Sequence, residues 1–370
     1  MYPLRRQAHM GNTRTFVAED IPQVARLHQQ VFKTQGGDGL SWLEAYHDYF
    51  TDVFLESPSS DPSLPSLVFE EADGSIVGFL GVVPRHMTMN GRRFRAAISS
   101  QFIVAPATRS GLVAVRLARA FLEGPQDLSI SDEANDISRK IWEGLGGVTA
   151  LWHSLYWTRP LRPARLVLSM LRTRPPAAPF AMAAAPLAPL VDAIATRMPQ
   201  SPLCQSRPEV DGEELTERTI LSYVSRCMPA SLRMDYDPAT LAWVIRLARR
   251  RKRSGTFRAI VVRRGDRIIG WYVYHLDSDG TAQVLQMAAE APGLSEVVDH
   301  LFYQAGMSGA NAVSGRVDPR HLQALTDRHC LLHRRGPWVL LSSKHSELLR
   351  SFETGDACFS RLDGEWSLGF

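Results

Sequence analysis

The stretch Val104-Ala-Pro-Ala-Thr-Arg-Ser-Gly-Leu-Val-Ala114 decides the fold, because it joins a strand to a helix within a few residues. Residues 93–104 alternate between two faces and predict a strand, and residues 112–122 carry the apolar spacing of a helix. Pro106 cannot continue a paired strand, and Gly111 permits a tight turn where the helix begins. The stretch therefore predicts a strand that stops abruptly and leads straight into a helix.

Two hairpin turns lie upstream of this stretch. Asp73-Gly74 separates predicted strands at residues 67–70 and 75–84, and Asn90-Gly91 precedes the strand at residues 93–104. Asp-Gly and Asn-Gly supply the positive φ angles that two-residue hairpin turns need. The three strands are therefore predicted to form an antiparallel meander, which a short strand and an amphipathic helix precede.

Downstream, a strand predicted over residues 127–131 leads into a helix predicted over residues 134–144. Asp132 and Glu133 lie where this strand ends, and a carboxylate in such a place is a candidate general base. Capping of the helix by Asp132 accounts for that residue equally well.

The second half of the chain repeats the element order of the first. After a stretch rich in Ala, Pro and Arg at residues 159–208, the order helix, meander, helix, strand and helix returns, with a terminal hairpin at residues 331–341. We therefore predict an α/β (α+β) protein of two tandem domains, each a mainly antiparallel mixed sheet flanked by helices. The predicted parts are residues 1–158, a connector at 159–208, and residues 209–370.

The element order and the 104–114 stretch resemble the GNAT (N-acetyltransferase) superfamily, over most of residues 15–150 and more weakly over 206–345. In that family an Arg/Gln-x-x-Gly-x-Gly/Ala loop wraps the pyrophosphate of an acyl-CoA, with backbone N–H groups and the helix dipole facing the phosphates. Arg109 and Ala114 match the first and last motif positions. Leu112 replaces the central Gly, which is displaced to Gly111.

The resemblance implies acetyl-CoA or a longer acyl-CoA, or an acyl-carrier protein, as the acyl donor, and it implies no metal. A helix start without a ligand is the alternative explanation of the 104–114 stretch. The donor-binding residues implied are Phe102, Ile103, Val104, Arg109, Ser110, Gly111, Leu112, Val113, Ala114 and Asn135.

A second stretch, residues 132–147, resembles the family segment in which an Asn follows a strand and a helix ends in Phe-Tyr-x-x-Leu-Gly-Phe. Asn135 takes the Asn position, whose amide helps hold the cofactor arm. Trp142 takes the place of a Tyr that often protonates the departing thiolate, and an indole N–H is no practical acid. The resemblance therefore predicts a general acid at this position, and Trp142 departs from it.

The acceptor implied is an amine or hydroxyl of a small molecule, of sugar or amino-acid type. Ser99 and Gln101, two positions apart and so predicted to share a face of their strand, are candidates for lining its channel. They are equally suited to filling a polar face of the sheet.

The second half lacks the donor-binding loop, because Ala291-Pro-Gly-Leu-Ser295 after its third strand contains no basic residue. We therefore expect this copy not to bind CoA. The predicted arrangement of one working and one degenerate half resembles that of mycothiol synthase and the peptidoglycan-bridge aminoacyltransferases.

Composition and sequence patterns limit the classes of protein to which the chain can belong. The chain has 370 residues, 45% hydrophobic and 22% charged, which is typical of globular proteins, and its net charge is +4. We find no run long enough for a membrane span and no secretory leader, so a cytoplasmic protein is expected. The four cysteines are scattered and match no zinc pattern.

Two rival functions stay open. A non-catalytic binding or scaffold protein built from two degenerate copies would accommodate both Leu112 and Trp142. Nucleic-acid binding has only the basic run at residues 246–253 in its favour, and this run is better explained as a solvated helix end, so we expect no nucleic-acid partner.

Overall fold

The computed structural model describes residues 11–32, 40–106, 111–172, 176–197, 201, 203, 205, 207–251 and 255–370. The pattern of contacts between residues that are close in space divides the chain into two compact units. Unit 1 comprises Met1–Thr149, Trp338–Leu349 and Leu368–Phe370, and unit 2 comprises Ala150–Pro337 and Arg350–Ser367. The domain boundaries drawn from the sequence follow contiguous stretches instead, and they stay a prediction.

The described residues form a mixed α/β fold with two mixed, mostly antiparallel sheets flanked by helices, which confirms the predicted class. The strands are β1 Asn12–Thr15, β2 Leu67–Glu70, β3 Ile76–Met89, β4 Arg92–Val104, β5 Leu128–Ala134, β6 Val148–Thr149, β7 Tyr156–Pro160, β8 Asp211–Glu214, β9 Leu232–Met234, β10 Thr256–Arg264, β11 Arg267–Leu276, β12 Thr281–Ala289, β13 Ala312–Arg316, β14 Leu331–His333, β15 Trp338–Ser343 and β16 Ala357–Cys358. The α-helices are α1 Ile21–Phe32, α2 Leu40–Phe50, α3 Gly111–Leu122, α4 Asp136–Gly144, α5 Pro163–Arg172, α6 Ala178–Ala184, α7 Ala188–Arg197, α8 Glu217–Cys227, α9 Pro238–Arg250, α10 Leu294–Met307, α11 Leu322–Thr326, α12 Ser346–Glu353 and α13 Glu365–Leu368.

The sheet of unit 1 has the order β1-β2-β3-β4-β5-β15-β6. Strands β2, β3 and β4 form the predicted antiparallel meander, and β4 and β5 are the parallel pair. The turn between β3 and β4 places Asn90 at φ 51° and Gly91 at φ 79°, as the Asn-Gly signal requires. The strand-to-helix connection predicted from the 104–114 stretch is present as β4 followed by α3.

Two helical layers cover the two faces of this sheet. On one face the Phe79 ring lies 5.4 Å from that of Phe50 at the end of α2, and we call this the α1–α2 face. On the other face Leu80 shares a buried cluster with Val113 of α3 and Trp142 of α4, and we call this the α3–α4 face. Neighbouring residues of β3 therefore point to opposite layers, as the alternation of a strand demands.

The sheet of unit 2 has the order β14-β7-β13-β12-β11-β10-β8. Strands β10, β11 and β12 form an antiparallel meander, and β12 and β13 are parallel. The order of meander, helix α10 and parallel strand β13 matches the order of meander, α3 and β5 in unit 1.

The predicted terminal hairpin at residues 331–341 is wrong. Strand β14 pairs with β7 in unit 2, whereas β15 pairs with β5 in unit 1, with Leu341 opposite Ile130. Burial explains the separation: Leu331 is 60% exposed, as suits an edge strand, but Leu341 is 1% exposed and belongs inside a sheet.

The Ala/Pro/Arg-rich stretch folds into the short helices α5, α6 and α7. Among the residues that the structure describes, no single helix is long and apolar enough to cross a membrane. Helix α6 and residues 188–195 of α7 meet that length and composition only as a pair, bent by 67° at the break between them.

Candidate functional site

The carboxyl ends of β4 and β5 diverge in unit 1. Their parallel ladder joins Ala96 to Leu128, Ala97 to Ser129 and Ile98 to Ile130. Beyond this point β4 continues to residue 104 and β5 to residue 134, and these segments are not paired with each other in the described sheet. The parallel pairing of the two strands therefore ends before the strands do, on the side of the sheet where β4 leads to α3.

A β-bulge lies on β4 at the point of divergence. Gly81 of β3 is opposite Ser100 and Phe79 is opposite Ile103, so Gln101 and Phe102 together face Leu80. Gln101 has a φ of 53°, which is uncommon for a residue with a side chain. Such bulges occur next to active sites, where they redirect a side chain.

The bulge sends the two predicted acceptor-binding residues to opposite faces. Ser99 is opposite Val82, a member of the α3–α4 cluster, so Ser99 faces that layer. Gln101 instead bonds to His28 of α1. The expectation that Ser99 and Gln101 share one face is therefore wrong, because the extra residue breaks the two-residue period. Their binding of an acceptor stays a prediction.

A buried polar chain holds Gln101 in place. The Nε2 atom of His28 lies 2.8 Å from Oε1 of Gln101, and its Nδ1 atom lies 2.9 Å from the hydroxyl of Tyr46. Since the amide oxygen only accepts, Nε2–H donates to Gln101 and the Tyr46 hydroxyl donates to Nδ1. Burial lowers the pKa of His28, against the opposing effect of the Gln101 bond, so the ring is neutral at pH 7.

Aromatic rings surround this polar chain. The Phe370 ring stacks on Tyr46 with centroids 4.3 Å apart, and the Tyr49 hydroxyl donates to the Leu368 carbonyl at 2.7 Å. Sequence analysis missed His28 and Tyr46 as site residues. Their amphipathic helical spacing is visible in the sequence, but their position beside Gln101 depends on the tertiary structure.

Ser100 was also missed. It is fully buried on the α1–α2 face, since its partner Gly81 follows Phe79 by two positions. Its Oγ atom has no hydrogen-bond partner among the described residues. A buried hydroxyl without a protein partner is the kind of group that a bound water or substrate satisfies.

Strand β5 runs further than the sequence predicts and carries both candidate bases. It extends to Ala134, so Asp132 and Glu133 lie within the strand and not after it. Asp132 is wholly buried, and its alternation with Ile130 places it on the α1–α2 face, together with Ser100. The role of either carboxylate as a base stays a prediction.

Asn135, and not Asp132, caps α4. Its side-chain oxygen accepts from the backbone N–H of Ser138 at 2.9 Å, which satisfies one of the free donors at the helix start. Helix capping by Asp132 is therefore wrong, because the strand continues past it. The binding of a cofactor by Asn135 stays a prediction.

The donor loop is described only in part. Arg109 and Ser110 lie outside the described residues. Gly111 begins α3, and a Cβ atom added to it would meet no atom within 4 Å. Leu112 is 50% exposed and Val113 is 3% exposed, so the helix start turns one side outward and anchors the other in the core.

The remaining predicted donor-binding residues lie on or beside the same strand and helix. Phe102 and Val104 are half-buried against the α3–α4 cluster, whereas Ile103 is buried and opposite Phe79, on the α1–α2 face. Ala114 is half-buried in the first turn of α3. The described residues contain no group of three or more His, Cys, Asp or Glu placed to hold a metal ion.

Trp142 lies in the core and not in the site. It is 1% exposed, and its ring centroid is 5.8 Å from that of Phe121 on α3. The residue at the position where the resemblance predicts a general acid is therefore a packing residue in this chain.

The hydrogen bonds of His28 can be tested by the His28→Phe variant. Phenylalanine keeps a ring beside Phe32 and Tyr46 but removes both bonds, so we expect the free energy of unfolding to fall by about 1–2 kcal/mol. Chemical denaturation measures this. The matched control is His47→Phe on the exposed side of α2. Equal midpoints for the two variants would mean that the polar chain adds nothing to stability.

Unit 2 contains a corresponding parallel pair, β12 and β13, and a later segment of the same chain lies against these strands where their pairing ends. The ladder of β12 and β13 ends at Val284 and Gly315, and Leu285 is the extra residue of a bulge. The carbonyl of Leu285 accepts from the N–H of Leu362 at 3.1 Å. Arg361 also donates to the side chain of Gln283 at 3.2 Å.

The space left beside this segment is small. A cavity of about 40 Å³ lies among Gln286, Asp318, His321 and Ser360, whereas ligand pockets measure roughly 300–1,000 Å³. At the start of α10, the side chain of Glu290 is buried and paired with Arg226 and Arg267. The two guanidinium groups neutralise this carboxylate, so the ion pairs are a structural feature of this turn.

Comparison with solved structures gives the class of the fold, which is that of the GCN5-related N-acetyltransferases. A GCN5-related N-acetyltransferase from Anabaena variabilis aligns over 91% of this chain and 73% of its own, with a TM-score of 0.57 and 13% identity. A probable N-acyltransferase from Enterococcus faecalis aligns over 93% and 74%, with a TM-score of 0.58 and 10% identity. A GCN5-related N-acetyltransferase from Kribbella flavida aligns over 90% of this chain and 71% of its own, with a TM-score of 0.52 and 15% identity. No protein-family model matches the chain, and no curated protein matches it in sequence.

Proposed function

We propose that this protein is an acyltransferase that moves an acyl group from an acyl-CoA to an amine or hydroxyl of a small acceptor. The fold class suggests the activity. The observation that carries the proposal is the diverging β4–β5 pair, with its bulge at Gln101 and the open helix start at Gly111.

The two faces of the divergence serve different substrates in this proposal. The donor lies toward α3, where exposed N–H groups and the positive end of the helix attract the pyrophosphate. The acceptor lies toward the α1–α2 face, where Gln101, Ser100 and Asp132 supply polar groups on otherwise buried surface. Acetyl-CoA is the simplest donor, and longer acyl chains or an acyl-carrier protein use the same chemistry.

The reaction needs little beyond alignment of the two substrates. The acceptor nitrogen or oxygen attacks the thioester carbonyl, a C–N or C–O bond forms, the C–S bond breaks, and CoA leaves as a thiolate. Backbone N–H groups at the divergence stabilise the developing oxyanion. Asp132 and Glu133 are our candidates for accepting the acceptor's proton. Trp142 supplies no proton, so the thiolate takes one from solvent.

Unit 2 is proposed as a degenerate copy that does not bind the donor. Leu362 and Arg361 bond to residues of β12 beside the diverging strands, and the turn at residues 291–295 contains no basic residue for a pyrophosphate. One working and one degenerate half make up the tandem arrangement that we propose.

The test is a panel of acyl-CoA thioesters, read out by thermal shift, by thiol release with amine and amino-sugar acceptors, and by hydrogen exchange. We expect a stabilising donor, acceptor-dependent thiol release, and protection at residues 111–117 but not at 291–297. Binding without turnover on any acceptor would favour the non-catalytic alternative. Protection at residues 291–297 alone would exchange the roles of the two units, and no binding at all would overturn the proposal.

A further inference from the structure

An exposed apolar patch lies on helices α6 and α7 of unit 2 and on the turn between them. Its members are large hydrophobic side chains that are between 51% and 76% exposed, namely Phe180, Met182, Leu187, Leu190, Val191 and Ile194. Single exposed apolar residues are ordinary, but six within 15 consecutive residues are typical of a surface that binds a partner or a membrane.

Asp192 fixes the orientation of the patch. Its carboxylate is 4% exposed and accepts from the backbone N–H of Ala164 at 2.8 Å and from that of Arg165 at 3.3 Å, both at the start of α5. A carboxylate at a helix N-terminus is stabilised by the free N–H groups and the helix dipole. Helix α7 is therefore held against α5 through the side that carries Asp192.

The apolar residues of α7 lie on its opposite side. Leu190, Val191 and Ile194, together with Leu187 just before the helix, follow the i, i+3, i+4, i+7 spacing of a single helical stripe, which lies roughly opposite to Asp192 at 100° per residue. A stripe of this kind faces the core in most surface helices. Here it faces outward, because the polar anchor has taken the inward side.

Exposed arginines lie on α5, the helix that packs against both α6 and α7. The side chain of Arg165 is 41% exposed, and Arg172 at the end of α5 is also exposed. Asp192, the one acidic residue in the sequence from 159 to 208, is buried. An outward apolar stripe beside exposed arginines combines the two features of segments that lie in the interface of anionic membranes.

We propose that α6 and α7 dock unit 2 on the surface of an anionic phospholipid bilayer, with the apolar patch among the acyl chains and the arginines at the headgroups. The helices lie on the bilayer and do not cross it: they contain 7 and 10 residues, about 10 and 15 Å, against a hydrocarbon core of about 30 Å. The 67° bend shortens their combined reach further.

Charge favours lipid over a second copy of the chain. A two-fold contact places the same surface on both sides, so the arginines of one copy would face those of the other. Anionic headgroups reverse that repulsion into attraction, and the membrane also supplies the apolar medium that the stripe needs.

The test is co-flotation of the full chain with vesicles of phosphatidylcholine and phosphatidylglycerol at 7:3, compared with pure phosphatidylcholine, at 0.1 and 0.5 M salt. We expect flotation with the anionic vesicles at low salt and at least tenfold less binding to neutral vesicles. The Leu190→Gln/Ile194→Gln double variant should lose at least tenfold in binding, and Arg172→Gln about fivefold.

Leu331→Gln is the matched control, since Leu331 is 60% exposed and lies on β14, outside the patch. It should float like the parent protein, and circular dichroism should show that the double variant keeps its helices. The proposal is overturned if the parent protein does not float with anionic vesicles or if the double variant floats equally well. A concentration-dependent dimer that the double variant abolishes would assign the patch to a second copy instead.

Discussion

We expect the Gly111→Asp variant to bind acyl-CoA between about tenfold and a hundredfold more weakly than the parent protein, with an unchanged or slightly higher melting temperature. Gly111 begins α3 and has open space where its side chain would be. An acidic residue in the first turn stabilises a helix by about 0.3–1 kcal/mol. The same charge about 5 Å from a pyrophosphate costs about 3 kcal/mol at an effective dielectric of 20, and 1.4 kcal/mol is one decade in affinity.

Titration calorimetry with acetyl-CoA and thermal melting, performed on the same samples, separate the two effects. Gly111→Ala is the uncharged control and should bind within a few-fold of the parent protein. The Arg109→Glu variant, which follows from the family motif, should weaken binding in the same direction. If Gly111→Asp binds acetyl-CoA as tightly as the parent protein, the start of α3 does not bind the pyrophosphate. A large fall in melting temperature would instead show that Gly111 has a structural role.

Trp142→Ala should lower the free energy of unfolding by about 3–5 kcal/mol, since truncation of a buried tryptophan leaves a large cavity. Trp142 is 1% exposed and packs with Leu117, Phe121 and Leu340. For a unit of this size each kcal/mol shifts the melting temperature by roughly 2–4 °C, so a fall on the order of 10 °C is expected.

Trp152→Ala provides the comparison, because Trp152 is 40% exposed, so its truncation removes less buried surface, leaves no closed cavity and should lower the free energy of unfolding by less. Trp142→Phe should recover most of the loss. A Trp142→Ala variant that melts normally but transfers no acyl group would contradict the packing role and would place this residue in the reaction.

The features that the sequence could predict rest on local chemistry. Asp73-Gly74 and Asn90-Gly91 define two turns by backbone geometry alone, and both appear at the predicted positions. Pro106 and Gly111 likewise mark the change from strand to helix. Each signal depends on one or two residues and their own φ angles, and no distant part of the chain can alter it.

The features that it could not predict depend on partners far along the chain. The bulge at Gln101 carries no glycine to announce its positive φ, and the residue that holds it, His28, is 73 positions away. The sequence predicts that the strand of β5 ends before Asp132, because its residues become polar, but that carboxylate is wholly buried in the folded unit. The polarity of Asp132 predicts an exposed residue, but the tertiary structure buries it.

The exchange of β15 into the sheet of unit 1 sets the order in which the chain can fold. Leu341 pairs with Ile130, which precedes it by 211 positions. At a synthesis rate of about 5–20 residues per second, roughly 10–40 s separate the two residues at the ribosome. During this time β5 has no β15 beside it, and the N-terminal part presents an open strand edge that invites intermolecular pairing. Translation therefore exposes this chain to aggregation for longer than a protein whose first sheet is complete when its first half is made.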